Sequence, residues 1–384
     1  MSSTIDKVLQ DAVSAGDVPT VVAVAANDRD VIYEGAAGPR AAGENGSVSA
    51  DTLFRIASMT KMVCTVAALQ QLERGNLNLD DPVEKYRPEF AEIQVLAGFD
   101  GDAPKLRPAA SKATVRQLMT HTSGLSYWFW NADIVRWEKA TGAGNALSGL
   151  GSTFTAPLVT DPGTKFEYGI NTDWLGKVVE AASGQSLDVY FHEHITGPLG
   201  MTNTTFIMSA EQRANSVPVH VQAEDGSWKA TDIDWNQKPE WWAGGHGLHS
   251  TPHDYLKFQR ALLGRGTLNG VKILEKSTLD SAFTNQIGDK NFPPAIKTAE
   301  PASTCDFNAG PGMKWGYGLL LNTQQQPGMR AAGSGAWAGI CNTHFWVDPA
   351  TQITGAIYSQ FLPFVTPKSM EMYANFEKAL YASL

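Results

Sequence analysis

The chain has 384 residues, 43% of them apolar and 18% charged, which are the proportions of a folded globular protein and not of a disordered one. Its formal net charge of −9, with no cluster of lysine or arginine, disfavours nucleic acid as a partner, because a phosphate backbone needs a concentrated basic surface. Three cysteines, Cys64, Cys305 and Cys341, are an odd number at wide spacing, which fits reduced thiols in the core better than a disulfide framework or a zinc site.

The first segment, "MSSTIDKVLQDAVSAGDVP", is amphipathic and lacks the charged start and unbroken apolar run of a secretory signal. No later segment approaches the ~20 apolar residues needed to span a bilayer. The expected compartment is therefore the cytoplasm, with no membrane partner. "TVVAVAAN" and "VIYEGAAG" read as two strands joined by the polar turn Asn27 to Asp30, an antiparallel hairpin. From Met59 to about Pro198 the apolar residues recur mostly at helical spacing, as in "VRQLMTHTSGL" and "WLGKVVEAASGQSLDVYFHEHI", with glycine and proline breaks between. "SGLGSTFTAP" from Ser148 and "GDKNFPPAIKTAEPAST" from Gly288 predict surface loops. "THFWVDPATQITGAIYSQ" repeats the strand, turn, strand pattern about Asp348 and Pro349, and "MEMYANFEKALYASL" predicts a closing helix. Together these signals predict an α/β (α+β) fold, an antiparallel β-sheet flanked by helices from residues 1–60 and 240–384. A large helical domain, 61–239, is inserted into it, and the active site is expected in the cleft between the two.

"RIASMTKMVCTVAALQQLERG" places Ser58 where a helix begins and Lys61 three residues later, on the same helix face. At that spacing an amine can accept or steer a hydroxyl proton, and the positive end of the helix dipole favours a developing alkoxide. Residue frequencies alone produce roughly one such pair in a chain this long, so Ser58 as a helix cap beside a solvated lysine is an equal reading of the pair by itself. A lysine of pKa ~10.4 is a poor base unless desolvated or coupled, so the chemistry requires a third residue. "DPGTKFEYGINTDWLGK" supplies Tyr168, a phenol that a neighbouring ammonium could draw down toward the working range.

"SMTK" from Ser58, "LMTHTSGLSYW" from Leu118, "DPGTKFEYGINTDWLGKVVE" from Asp161, "PLGMTNTTF" from Pro198 and "WAGICNTHFWVDP" from Trp337 resemble the serine β-lactamase-like family over nearly the whole chain. Within it they look closest to the family VIII carboxylesterases, with a similar likeness to the fungal lovastatin side-chain acyltransferase. The resemblance implies a Ser/Lys/Tyr acyl-enzyme mechanism in which Ser58 matches the nucleophile, Lys61 the activating lysine and Tyr168 the group that moves protons to and from the leaving group. "WAG", Trp337 to Gly339, corresponds to the family's third motif, and the backbone N–H groups of Ser58 and Ile340 to its oxyanion hole. Gly339 is then expected to let substrate approach the strand closely.

The sequence also departs from the β-lactamase pattern. Ile170 stands where those enzymes carry an asparagine, Asn171 comes one residue late and would have to be rotated in, and Trp337 replaces the carboxylate-binding lysine. Both changes remove polar anchors, so the site is expected to take a neutral, apolar acyl ester. Tyr127, Trp128 and Trp337 are the expected apolar walls, from "SYWFW" and "WAG"; "EWWAGGHG" from Glu240 reads as a further aromatic cleft segment.

No metal or cofactor is expected. His246, His249 and His253 are spaced for neither one helix face nor one strand face, and "STPHD" reads as a helix start with Thr251 as N-cap, Pro252 first and Asp254 completing a capping box. No G-x-S-x-G elbow, phosphate loop or dinucleotide fingerprint is present. The sequence therefore predicts a serine carboxylesterase acting on short- or medium-chain acyl esters through acyl-Ser58, its partner a small-molecule ester. Acyl transfer from the same intermediate is the alternative, and β-lactam or D-peptide hydrolysis a more distant one.

Overall fold

The run of apolar residues after Thr20 has no polar alternation because both faces of the strand it forms are covered. In the computed structural model, which describes residues 2–384, strands β1 (Val21–Asn27) and β2 (Val31–Ala37) form the predicted hairpin. Asn27 Oδ1 closes its turn by accepting the N–H groups of Arg29 and Asp30 at 2.9 and 2.7 Å. The other strands of the main sheet come from the far end of the chain: β3 (Lys314–Trp315), β4 (Leu320–Leu321), β5 (Gly335–Gly339), β6 (Thr343–Asp348) and β7 (Ile353–Tyr358). The seven are ordered β3-β4-β5-β6-β7-β1-β2 and every neighbouring pair is antiparallel. Strand β1 lies beside β7 with Val22 opposite Tyr358.

The helices of ten residues or more are α1 (Ser2–Ser14), α2 (Thr60–Glu73), α3 (Ala132–Thr141), α4 (Asn171–Ser183), α5 (Pro252–Leu263) and α6 (Pro367–Tyr381). Side chains alternate across a strand, so Val21, Ala23 and Ala25 pack on one face with Ile5 and Leu9 of α1 and Phe376 and Leu380 of α6. Val22, Val24 and Ala26 point to the other face and join the main core with α2, α4 and α5. Every residue of α2 from Thr60 to Gln71 is buried, the polar Lys61, Gln70 and Gln71 included, so the helix is enclosed on all sides.

Local chemistry explains where the helices start, with two differences from expectation. Thr251 caps α5 by accepting the Asp254 N–H at 3.2 Å, with Pro252 in the first position. The reciprocal half of the capping box is absent, because the Asp254 carboxylate is taken by the Asn203 N–H and by Lys257. Helix α6 begins at Pro367, not at Met370, because Thr366 caps it by accepting the Ser369 N–H.

The middle of the chain also contains an unexpected hairpin, Val95–Asp100 paired with Ala103–Arg107, whose mostly exposed strands and irregularity between Leu96 and Gly98 leave no clean apolar alternation. Ala295–Ile296, inside the loop predicted from Gly288 to Thr304, pairs with Phe307–Asn308 just beyond it. Among the described residues no helix is long and apolar enough to cross a membrane.

The start of α2 is held against the end of β5. Thr343 Oγ1 donates to the Ile56 carbonyl at 3.3 Å, and a Cβ on Gly339 would overlap that same carbonyl.

Candidate active site

Ser58 sits in a single 3₁₀ turn, Ala57–Met59, that leads into α2. Ala57 before it is buried and has φ 44°, a left-handed conformation that costs an alanine about 1–2 kcal/mol and is held here by surrounding packing. The Ser58 hydroxyl does not cap the helix, since no side chain caps either the turn or α2. The reading of Ser58 as a helix cap is thereby corrected: its hydroxyl accepts from Lys61 Nζ at 3.0 Å.

Lys61 is fully buried, not solvated. Its ammonium also donates to the Gly245 carbonyl at 2.7 Å and to the Tyr127 hydroxyl at 3.1 Å, and it lies 4.8 Å from the centre of the Tyr168 ring. Removal from water lowers its pKa from the usual lysine value to about 7, with the Asp173 carboxylate pulling part of the way back up. The shift makes the neutral amine, the form that can accept a proton from Ser58, accessible at neutral pH.

Two residues that hold this lysine lay outside the sequence reading. Asp173, fully buried in the first turn of α4, accepts the Gly245 N–H at 2.8 Å and the Tyr127 hydroxyl at 3.4 Å. It thus orients two of the three groups that receive Lys61, Gly245 and Tyr127. Gly245 leaves room for that carboxylate, because a Cβ there would lie 2.7 Å from Asp173 Oδ2. The available signal was an acidic residue directly before the mostly apolar run "WLGKVV" and the doubled glycine of "WWAGGHG". The latter segment was expected to contribute aromatic walls, whereas its backbone is what meets the lysine.

Tyr168 is buried directly before α4, and Trp337 Nε1 donates to its hydroxyl at 3.0 Å. Burial raises the pKa of this phenol, with hydrogen bonds from Ser58 and Trp337 opposing the shift. The expectation that a nearby ammonium draws Tyr168 down is therefore overturned: burial raises it instead, and the phenol stays protonated beside a titratable lysine. The segment around Tyr168 is fastened to the 123–126 loop. Asn171 accepts from Ser123 Oγ at 2.5 Å and donates to the carbonyls of Leu125 and Glu167, while Ser126 Oγ donates to Glu167 at 2.8 Å. A Cβ on Gly169 would overlap Leu125 and Ser126, so only glycine permits this approach. Asn171 is thus committed to holding backbone and is not rotated toward the nucleophile.

The expected walls divide. Tyr127 is a hydrogen-bonding partner of Lys61 and Asp173, not an apolar wall. Trp128 packs edge-on against Tyr127 and Phe129 and lines a gap of about 10 Å³ with Ile170 and Ala146. Trp337 packs against Trp315 and Tyr168 as well as donating to the phenol. Gly339 has a different reason from the one expected, since the space a side chain would fill belongs to the Ile56 carbonyl and the Thr343 hydroxyl, not to substrate. The Ile340 N–H follows directly on this contact.

The three histidines separate. His246 Nδ1 lies 3.6 Å from Asp173, His249 is buried, and His253 bridges Glu34 and Asp51. Among the described residues no three His, Cys, Asp or Glu side chains gather as a metal site. His121, neutral because burial lowers its pKa, packs 4.7 Å from Tyr168. Burial also keeps the Cys64 and Cys341 thiols protonated.

The chain is similar to known proteins over most of its length. The chain is 32% identical over 357 residues to monacolin J acid methylbutanoyltransferase of Aspergillus terreus, covering 86% of this chain and 82% of that protein. It is 31% identical over 369 residues to the lovastatin esterase of Penicillium rubens, covering 91% of each. Simvastatin synthase from Aspergillus terreus, in its LovD6 mutant form, superposes with a TM-score of 0.84 at 30% identity, over 99% of this chain and 96% of that one. EstCE1, a hydrolase with promiscuous acyltransferase activity, shares the fold with a TM-score of 0.76 at 22% identity, over 98% of this chain and 97% of that one. The family model described as Beta-lactamase matches residues 5–377, so the seven-stranded sheet and its helices form a β-lactamase-like fold and the chain belongs to the beta-lactamase family.

Proposed function

We propose that this chain is a serine carboxylesterase for neutral acyl esters. The observation that carries the reading is the buried Lys61 amine, with its pKa near 7, at 3.0 Å from the Ser58 hydroxyl. In the proposed reaction the neutral amine takes the Ser58 proton as Oγ attacks the acyl carbonyl, and the backbone N–H groups of Ser58 and Ile340 receive the developing oxyanion. The Tyr168 hydroxyl, protonated and tied to Trp337, gives its proton to the leaving alkoxide and recovers one from Lys61. Water then cleaves the acyl enzyme with the same groups working in reverse. Ile170 and Trp337 leave no polar anchor where a β-lactam carboxylate or side-chain amide would need one, which favours an apolar ester.

Replacing Ser58 by alanine should abolish hydrolysis of p-nitrophenyl butyrate, and a fluorophosphonate probe should add to Ser58 of the parent protein as read by mass spectrometry. Unchanged turnover in the variant would sink the assignment. A second reading, acyl transfer to an alcohol from the same acyl-Ser58, is favoured by the similarity to the methylbutanoyltransferase. Product partitioning between water and an added alcohol separates the two. Nitrocefin is expected to turn over weakly at most.

A further inference from the structure

A cavity of about 790 Å³ lies behind β5, between that strand and helix α6. Along β5 the side chain of Trp337 faces Tyr168 and the open side of Gly339 faces Ile56, so Ala336 and Ala338, which line the cavity, look out from the opposite face. Ser58, Lys61 and Tyr168 are not among its lining residues; Trp337, which donates to Tyr168, forms part of the wall between the two sites. Its volume falls within the roughly 300–1,000 Å³ typical of small-molecule pockets. Met313, Met329 and Met370 contribute flexible apolar surface that adapts to a ligand's shape.

One polar side chain inside it is unsatisfied. His344, opposite Ala338 in register and only 6% exposed, stacks between Phe364 at 5.7 Å and Tyr373 at 4.8 Å. Its Nε2 is buried without a hydrogen-bond partner, although buried polar groups are nearly always paired. Burial and nearby Arg330 lower its pKa to about 3, so the ring is neutral and offers one donor and one acceptor. Of the charged side chains in the wall, Glu377 accepts from the backbone N–H and the guanidinium of Arg330, Asp306 pairs with Lys297, and Lys378 is exposed to solvent. A charged head group carried in to His344 would therefore lose its hydration without gaining a free counter-charge there. A hydroxyl can donate or accept and so matches either tautomer of the ring.

We propose that this cavity is a second binding site, separate from the Ser58 site, for a neutral amphipathic molecule of the medium-chain alcohol class, its chain among Phe364, Met329 and Met370 and its hydroxyl hydrogen-bonded to the His344 imidazole. The test uses Ser58→Ala protein, so that turnover plays no part and failure of the esterase reading leaves it intact. Titrating 1-octanol into this protein labelled with ¹⁵N-histidine should give a saturable shift of the His344 ring resonances. In calorimetry His344→Phe, which keeps the aromatic stack, should weaken 1-octanol binding at least tenfold. Ala374→Phe, which fills the cavity from α6, should abolish it with the fold intact by circular dichroism. Absence of any saturable shift or heat up to the solubility limit of 1-octanol overturns the site. Binding that Ala374→Phe abolishes and a folded His344→Phe leaves unchanged overturns the hydroxyl contact and the ligand class with it. Should His344→Phe fail to fold, the His344 shift and the Ala374→Phe titration decide.

Discussion

Trp337 donates its indole N–H to the Tyr168 hydroxyl at 3.0 Å, so the strand that ends at the proposed oxyanion hole also fixes the proposed leaving-group acid. Trp337→Phe keeps the aromatic packing and removes the donor. Loss of one such hydrogen bond, about 1 kcal/mol, corresponds to a roughly fivefold fall in kcat. The fall should be larger for ethyl butyrate than for p-nitrophenyl butyrate, because an ethoxide needs a proton to leave and a nitrophenolate does not. Equal effects on both esters would detach Trp337 from proton transfer.

Lys61 sets the expected pH dependence. Its amine is the proposed base in neutral form, and burial brings its pKa to about 7. The profile of log kcat/KM against pH should rise with unit slope below about pH 7 and level off above it. Lys61→Arg, always protonated, should stay inactive at every pH.

Asp173 shifts that limb in a known direction. Its carboxylate raises the Lys61 pKa, so Asp173→Asn, which can still accept the Gly245 N–H, should move the acidic limb to lower pH. An unmoved limb with reduced activity would mean that Asp173 acts through geometry alone.

Gly339 supports both structure and chemistry. A methyl group there collides with the Ile56 carbonyl two residues before Ser58, so Gly339→Ala should lower stability by about 1–3 kcal/mol and reduce kcat in the fraction that remains folded. Denaturant unfolding and active-site titration measure the two effects separately.

His253 lies between Glu34 and Asp51 at 2.7 Å from each, and hydrogen bonds from its ring to those carboxylates raise its pKa against the opposing effect of burial. Because the folded pKa lies above the unfolded value, the stabilisation is complete below about pH 6.5 and is lost as pH rises through the folded pKa. The pair is partly exposed, so His253→Gln should cost under about 1 kcal/mol at pH 5.5 and less at pH 9, read from melting curves at the two pH values.

Much of this was legible in the sequence, and the residues that were not share a cause. Ser58, Lys61 and Tyr168, which the fold brings together, were singled out because their residue types and order resemble a family, and the two terminal hairpins because apolar strands flank polar turns. Asp173 and Gly245 were missed because a carboxylate and a backbone amide 72 residues apart acquire meaning only when folding joins them beside the Lys61 amine. Tyr127 was read by its ring when its hydroxyl was the relevant part. The Tyr168 phenol was read by its neighbouring charge when burial was the stronger influence. A sequence names side chains, whereas desolvation depends on what surrounds them.

The pairing of β1 with β7 has a consequence for how the chain is made. A ribosome adding roughly 5–20 residues per second completes the first hairpin on the order of tens of seconds before Ile353–Tyr358 emerges. Through that interval the β7-facing edge of β1, flanked by Val22 and Val24, has hydrogen-bonding groups and no native strand to occupy them. Until then the nascent protein carries an adhesive edge, open to any other strand, that the finished molecule never displays.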